Sequence, residues 1–67
     1  MNPNLSALTN GQSFELGDPI RVFIDGFNQI GFFIAFQNQA LYWGTTIDNQ
    51  SRLVITPFQS IQSIVKL

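Results

Sequence analysis

The sequence contains no cysteine and no histidine. The absence of cysteine excludes disulfides, thiolate zinc sites and cysteine nucleophiles. The absence of histidine removes the commonest general base and the commonest metal ligand. A chain of 67 residues without these reinforcements buries only about 60% of the surface that its unfolded form exposes. Self-association is therefore the reinforcement that we expect.

Charge is scarce as well: three cations and four anions make up 10% of the chain and give a net charge of −1. Soluble proteins average about 25% charged residues. Binding to a phosphate backbone relies on clusters of Lys and Arg, and the cations Arg21, Arg52 and Lys66 are scattered. The charge therefore disfavours nucleic acid as a partner. A weakly charged surface also repels other copies weakly, which favours a protein that assembles with itself.

Long hydrophobic runs are missing too. The longest apolar run, Ile30–Phe36, is far shorter than the roughly 20 residues of a membrane-spanning helix. Residues 1–8 lack the basic and apolar regions of a secretory signal. We therefore expect a cytoplasmic protein with no membrane partner.

The residues that remain do not form a catalytic pattern. Asp18, Asp25 and Asp48 lie in predicted turns, where Asp commonly bonds its own backbone. The five serines have no evident base to activate them. The spacing Gly26-x4-Gly31 lacks the Lys-Ser/Thr of a phosphate-binding loop. The sequence thus predicts a non-enzymatic protein with no cofactor, no metal and no small-molecule substrate.

Residues 1–67 form one predicted domain that begins with a short helix at about 3–9. Asn2 can cap the first turn, Pro3 suits the first helical position, and Asn10-Gly11 supplies a left-handed stop. A helix this short is not stable alone. We expect it to dock Leu5 and Leu8 onto the rest of the domain.

Five short strands follow in the predicted order, at about 20–25, 29–37, 40–46, 52–56 and 61–66. Alternating apolar residues indicate the strands, Asp25-Gly26 indicates a hairpin, and Pro57 ends the fourth strand. A strongly bent antiparallel sheet of this size closes into a small barrel and so reduces its free edges. The predicted class is therefore an all-β, five-stranded barrel with a short N-terminal helix.

Opposed residues of paired strands share a face, so the turns predict the register. A three-residue loop, Asp25–Phe27, pairs Val22 with Ile30. The same face of the second strand then carries Ile30, Phe32, Ile34 and Phe36. Phe33 points the other way, which suggests a long, bent strand that reaches the core with both halves.

The second turn predicts how the third strand faces. A two-residue loop at Asn38-Gln39 pairs Phe36 with Leu41 and Ile34 with Trp43. Trp43 then lies in the core, opposite Leu53 or Ile55 of the fourth strand. Tyr42 points to the opposite face.

Two segments resemble the signature motifs of the Sm and Sm-like (Hfq-like) proteins. The first is Val22-x-Ile24-x-Gly26-x4-Gly31-x-Phe33-x-x-Phe36, and the second is Leu53-Val54-Ile55 followed by Ile61-x-x-Ile64. The short helix before the first strand is another trait of that family. The resemblance covers about residues 3–65 and implies a small barrel that forms rings, in which strand four of one subunit pairs with strand five of the next.

The positions that hold RNA bases in that family differ here. Gln37 replaces an Asp, Ala40-Leu41 replaces a Met-Asn pair, and Thr56-Pro57 stands near the family's Arg-Gly or Lys-His. Leu41 cannot hydrogen-bond a base edge, and Thr56-Pro57 offers no cation. RNA binding is therefore not implied with the fold.

Three functions follow from these observations. The first is a homo-oligomeric scaffold or protein-interaction module that joins in a ring through its fourth and fifth strands, with candidate interface residues Arg52, Val54, Thr56, Ile61, Ile64 and Val65. The second is an Sm-like binder of single-stranded RNA or DNA, in which Phe27 and Tyr42 stack on bases and Arg52 contacts phosphate. The third is an SH3-like barrel with an aromatic groove for a proline-rich peptide.

Overall fold

The computed structural model describes residues 5–67, which form one short helix and five strands. The predicted order of one helix followed by five strands is confirmed, while residues 3–4 of the predicted helix lie outside the described part. The elements are α1 (Leu5–Thr9), β1 (Pro19–Ile24), β2 (Phe27–Gln37), β3 (Ala40–Ile47), β4 (Gln50–Pro57) and β5 (Ile61–Lys66). No described helix is long and apolar enough to cross a membrane.

Tight turns connect the first four strands as consecutive antiparallel hairpins. Asp25-Gly26, Asn38-Gln39 and Asp48-Asn49 each form a two-residue connection. In the second and third turns both residues have positive φ, between 53° and 64°, as in type I′ turns whose twist matches that of the flanking strands. A 3-10 turn, Phe58–Ser60, leads from β4 into β5.

The strands form one sheet in the order β4-β3-β2-β1-β5. All four pairings are antiparallel. Among residues 5–67, β4 is paired only with β3 and β5 only with β1, so the hydrogen-bonded sheet is open. It has two edges, β4 and β5, instead of the closed ladder of the predicted barrel.

The predicted register between β1 and β2 is wrong. The turn has two residues, Asp25-Gly26, and Val22 therefore lies opposite Gln29 instead of Ile30. Gln29 faces the same side of the sheet as the core but lies past its end, where its side chain is exposed. Little polar surface is therefore desolvated by this register. The Gln29 amide Nε2 also donates a hydrogen bond of 3.1 Å to the Thr45 hydroxyl. Ile30 is consequently on the opposite, exposed face.

The predicted register between β2 and β3 is also wrong over part of its length, because β2 contains a bulge. Phe33, not Ile34, pairs with Trp43, and the next pair joins Ala35 to Tyr42, so Ile34 is an extra residue. The extra residue lets Phe33 and Phe36 both face the core although they are three apart. The predicted pairing of Phe36 with Leu41 is confirmed. The expectation that both halves of β2 reach the core is wrong, because Phe33 and Phe36, the residues of β2 that pack in the core, both lie in its C-terminal half.

The core lies on one side of the sheet, here called the inner face. Trp43 is 2% exposed, which confirms its predicted burial, and its partner on β4 is Val54. Leu8 of α1 packs into the core, whereas Leu5 is 38% exposed. The buried cluster comprises Leu8, Ile20, Val22, Phe33, Leu41, Trp43, Ile61 and Ile64.

Aromatic rings extend this core beside the N-terminal helix. The Phe33 ring stacks on Phe14, with centroids 5.5 Å apart, and meets Phe36 edge-on at 4.8 Å. Phe36 in turn contacts Phe58 at 5.8 Å. These edge-to-face and stacked contacts join the loop after α1 to β2 and to the turn before β5.

Candidate assembly interface

The free edge of β4 carries unpaired backbone groups. The two-residue turn makes Ile47 and Gln50 the first hydrogen-bonded pair of the β3–β4 hairpin, and the bonding direction then alternates along the strand. The even-numbered residues of β4 therefore bond to β3. The backbone N–H and C=O groups of Ser51, Leu53 and Ile55 point away from the sheet.

The same edge adjoins an apolar patch on the outer face, which is the side of the sheet opposite the core. Leu53 is 61% exposed and Ile55 is 53% exposed. Ile30 and Phe32 of β2 are also exposed large apolar residues. We call these four residues, Ile30, Phe32, Leu53 and Ile55, the outer patch. Strand alternation places only one charged residue, Arg21, on the outer face of the described strands.

A row of paired residues connects the outer patch to the β4 edge. Gly44 of β3 pairs with Phe32 on one side and with Leu53 on the other. The Phe32 ring lies over Gly44 so closely that a Cβ atom at this glycine would collide with it. Phe32 and Leu53 are therefore neighbours across a strand that has no side chain between them.

The β5 edge is protected at both ends, by a side-chain hydrogen bond at one end and by a bulge at the other. The Leu67 N–H donates to the Pro19 carbonyl at 3.0 Å, so the preceding Lys66 N–H points outward by alternation. That N–H donates to the Gln12 side-chain oxygen at 3.4 Å. At the other end the register with β1 shifts by one residue, which leaves Gln62 as a bulge.

A small charged cluster holds the loop of residues 10–18 against the end of β5. The Lys66 Nζ atom lies 3.4 Å from Asp18 Oδ2 and 5.5 Å from the centroid of the Phe14 ring. Asp18 Oδ2 also accepts a hydrogen bond of 2.9 Å from the Glu15 backbone N–H. This hydrogen bond, and secondarily the Lys66 ammonium, lowers the pKa of the Asp18 carboxyl.

The structure distributes the six predicted interface residues over two environments. The first group comprises Arg52, which is exposed, with Val54 and Val65, which are half-buried. The second group comprises Thr56, Ile61 and Ile64, which are buried within the subunit. The buried members cannot present side chains to a partner, so their strands would take part in an interface through the backbone.

Sequence reasoning missed the two most prominent residues of the β4 edge, Leu53 and Ile55. It placed one of them opposite Trp43 in the core, because the length of the third turn was unknown. Alternation alone puts Leu53 and Ile55 on one face and Val54 and Thr56 on the other, and the register of the hairpin decides that Val54 and Thr56 face inward.

An apolar groove opens at one end of the inner face, beyond Trp43. Its volume is about 180 Å³, and its walls include Ile24, Phe27, Ile47 and Val54. The Thr45 hydroxyl at this groove donates to the Ile30 carbonyl at 2.9 Å and accepts from Gln29. The Thr45 hydroxyl and the Gln29 amide nitrogen are thus already bonded within the subunit.

The three residues predicted to bind nucleic acid do not form one surface. Phe27 lines the groove on the inner face, and Arg52 shares that face by alternation, with its Nη2 atom donating to Gln50 at 3.1 Å. Tyr42 is half-buried on the outer face. A base stacked on Phe27 could not also contact Tyr42, because the sheet lies between them.

No family model, no curated protein and no solved structure matches this chain. The functional argument therefore depends on the geometry of the sheet and its edges.

Proposed function

We propose that this protein is a non-enzymatic module that assembles with itself through the edge of its sheet and acts as a scaffold or protein-interaction platform. One observation carries the proposal. Strand β4 is an eight-residue edge strand with free N–H and C=O groups at Ser51, Leu53 and Ile55 and with exposed apolar side chains at the latter two. Such an edge is a template for pairing with another chain.

The small size of the domain explains why assembly would stabilise it. A chain this small has a limited core, and the exposed apolar side chains of the β4 edge, Leu53 and Ile55, can stabilise the folded state when another copy covers them. The low charge of the surface supports the same conclusion, because it imposes little repulsion between copies.

The architecture also supports assembly through the edges of the sheet. A short helix followed by a five-stranded antiparallel sheet, with β4 and β5 at its two edges, is what the resemblance to the Sm-like proteins implies. In this proposal the open sheet is completed between subunits. The proposal requires that β4 receives another strand, and it is independent of which strand that is.

Light scattering on a sizing column tests the proposal. We expect a mass that is a multiple of 7.5 kDa at high micromolar concentration. Leu53→Lys places a charge on the β4 edge, and we expect it to weaken association at least tenfold, which corresponds to about 1.4 kcal/mol.

Ile30→Lys is the matched control, because it introduces the same charge on the outer patch but on β2, away from the edge. We expect this variant to associate more nearly like the parent than Leu53→Lys does. A parent protein that is monomeric at high micromolar concentration would refute the proposal.

A further inference from the structure

The two edges of the sheet differ in how well they are protected. Native sheets protect an edge with bulges, lysines and covering segments. The β5 edge has all three: the bulge at Gln62, the Lys66 side chain, and the Gln12 amide that occupies the outward N–H of Lys66. The β4 edge pairs with β3 without a register shift from Ile47–Gln50 to Ala40–Pro57. Its one charged residue is Arg52.

We propose that the strand which pairs with β4 is β4 of a second copy, antiparallel and related by a two-fold axis at Leu53. This inference rests on the proposed function and specifies its partner. An antiparallel strand can pair with itself because both copies present the same alternation, and a two-fold interface is the commonest arrangement of soluble homo-oligomers. The two sheets then become one continuous sheet across the dimer.

Five symmetric registers centre on a residue from Ser51 to Ile55, and four of them are unfavourable. An axis at Ser51 overlaps only residues 50–52 of the two strands, and an axis at Ile55 pairs Leu53 with Pro57, which has no N–H to donate. An axis at Arg52 sets the two Arg52 side chains directly opposite each other, and like charges in that position are destabilising. An axis at Val54 pairs Ser51 with Pro57, which has no N–H to donate. An axis at Leu53 pairs Ser51 with Ile55 and Leu53 with itself, and it places Arg52 opposite Val54.

The register centred on Leu53 uses every free backbone group of the edge. Each hydrogen-bonded antiparallel pair exchanges two N–H···O bonds, so three pairs give about six bonds between the copies. The two Leu53 side chains meet on the outer face. Because Phe32 lies over Gly44 beside Leu53, the contact extends into an apolar row from Phe32 of one copy to Phe32 of the other.

Cysteine cross-linking tests the register, because the natural sequence contains no cysteine. The two Cα atoms of a hydrogen-bonded pair lie about 5.5 Å apart, within the range of about 4.4–6.8 Å that a disulfide spans. We therefore expect the variant Leu53→Cys, oxidised in the 67-residue chain, to form a reducible dimer. The position is exposed, so the substitution leaves the core intact.

Ser51→Cys and Ile55→Cys are matched controls on the same edge. In this register the two thiols of an Ile55→Cys dimer lie four residues apart along the strands, about 13 Å, so neither variant alone should cross-link efficiently. A mixture of the two variants should cross-link efficiently, because Ser51 of one copy lies opposite Ile55 of the other. We expect at least a fivefold higher dimer yield from the mixture than from either variant alone.

The outcomes separate this inference from the proposed function. A monomer by light scattering with no cross-link in any variant refutes both. An oligomer larger than a dimer, in which Leu53→Cys does not cross-link, refutes the β4–β4 pairing and keeps self-assembly, as in a ring that joins β4 to β5. A dimer that cross-links through Ser51→Cys or Ile55→Cys alone refutes the register.

Discussion

The indole Nε1 of Trp43 donates a hydrogen bond of 3.0 Å to the hydroxyl oxygen of Thr56, and both side chains are buried. This bond ties the largest core residue on β3 to the edge strand β4. It also explains why a hydroxyl occurs at a position that otherwise faces the apolar core. A buried indole N–H without a partner would be costly.

Thr56→Val keeps the shape of the side chain but removes the acceptor. We expect a loss of about 1–3 kcal/mol in the free energy of unfolding, because the indole N–H is left unsatisfied. Thr46→Val is the control: Thr46 is exposed on β3, and surface substitutions usually change stability by less than about 0.5 kcal/mol. Urea denaturation measures both, and equal effects would contradict the structural role of the bond.

Trp43 and Tyr42 are adjacent in sequence but face opposite sides of the sheet. Removing the side chain of a buried Trp costs about 3–5 kcal/mol, and small domains have total stabilities near the lower end of about 5–15 kcal/mol. We therefore expect Trp43→Ala to leave little folded monomer. Tyr42→Ala should retain the fold and affect assembly instead. Circular dichroism melts beside a sizing column compare the two, and the reverse result would mean that the facing of β3 is inverted.

Gly31 and Gly44 are neighbours on β2 and β3, and their missing side chains matter to different degrees. A Cβ at Gly31 would meet the Gly44 carbonyl oxygen and, at 2.6 Å, the Trp43 ring. Because backbone cannot yield easily, we expect Gly31→Ala to cost about 1–3 kcal/mol.

A Cβ at Gly44 would meet only the Phe32 ring among its nearest atoms, and that side chain lies on the exposed outer face. We expect a smaller loss for Gly44→Ala, and partial recovery when Phe32→Ala is combined with it. Thermal melts of the two single variants and the double variant check this order. No coupling between the two sites would contradict the close approach.

The lowered pKa of Asp18 predicts a pH dependence of stability. The Glu15 N–H and then Lys66 favour the carboxylate in the folded state, so folding makes the group a stronger acid. The contribution is therefore present above the ordinary Asp value, about 3.9, and is lost as the pH falls through the folded-state pKa. We expect Asp18→Asn to have a lower urea midpoint than the parent at pH 7, and the difference to shrink toward pH 2.

Lys66→Gln separates the two causes of that shift. This variant removes the ammonium but keeps the hydrogen bond from Glu15, which is the larger cause. Its stability should therefore retain most of the parent's acid dependence. An Asp18→Asn effect that grows toward low pH would have the wrong sign for this explanation.

The separation of Phe27 and Tyr42 onto two faces predicts weak or no binding to single-stranded nucleic acid. Fluorescence anisotropy with a labelled oligonucleotide across a salt series measures it. Phosphate contacts would give an affinity that falls with rising salt, and Arg52→Gln would reduce that slope. Such a result would restore the nucleic-acid hypothesis, whereas a flat signal at low salt agrees with the expectation.

Much of the fold could be predicted from local signals. The Asn38-Gln39 turn and the prolines mark where strands begin and end. Alternation of apolar and polar residues indicates where the strands lie and that Trp43 is buried. The two register errors have a common cause. A one-residue difference in a turn or a bulge reverses which face is apolar, and neither the length of the Asp25-Gly26 turn nor the bulge at Ile34 is fixed by local composition alone.

The candidate interface was predicted less completely than the fold. The two edge strands could be inferred from the order of the strands and from the resemblance to a ring-forming family. The exposure of Leu53 could not be inferred, because it depends on the register of the β3–β4 hairpin. The protection of β5 by Gln12 was also beyond sequence reasoning, since it joins residues that are 54 positions apart.

The pairing of the first strand with the last has a consequence for how the chain folds during synthesis. Strand β5 supplies Ile61 and Ile64 to the core and pairs with β1, so these contacts link the most distant parts of the sheet. Such contacts form late and slow folding, because the intervening chain must first be ordered. A growing chain that stops before Ile61 lacks two core residues and exposes the β1 edge, at the opposite end of the sheet from the unpaired β4 edge. The core is therefore complete only after Ile64 has left the ribosome.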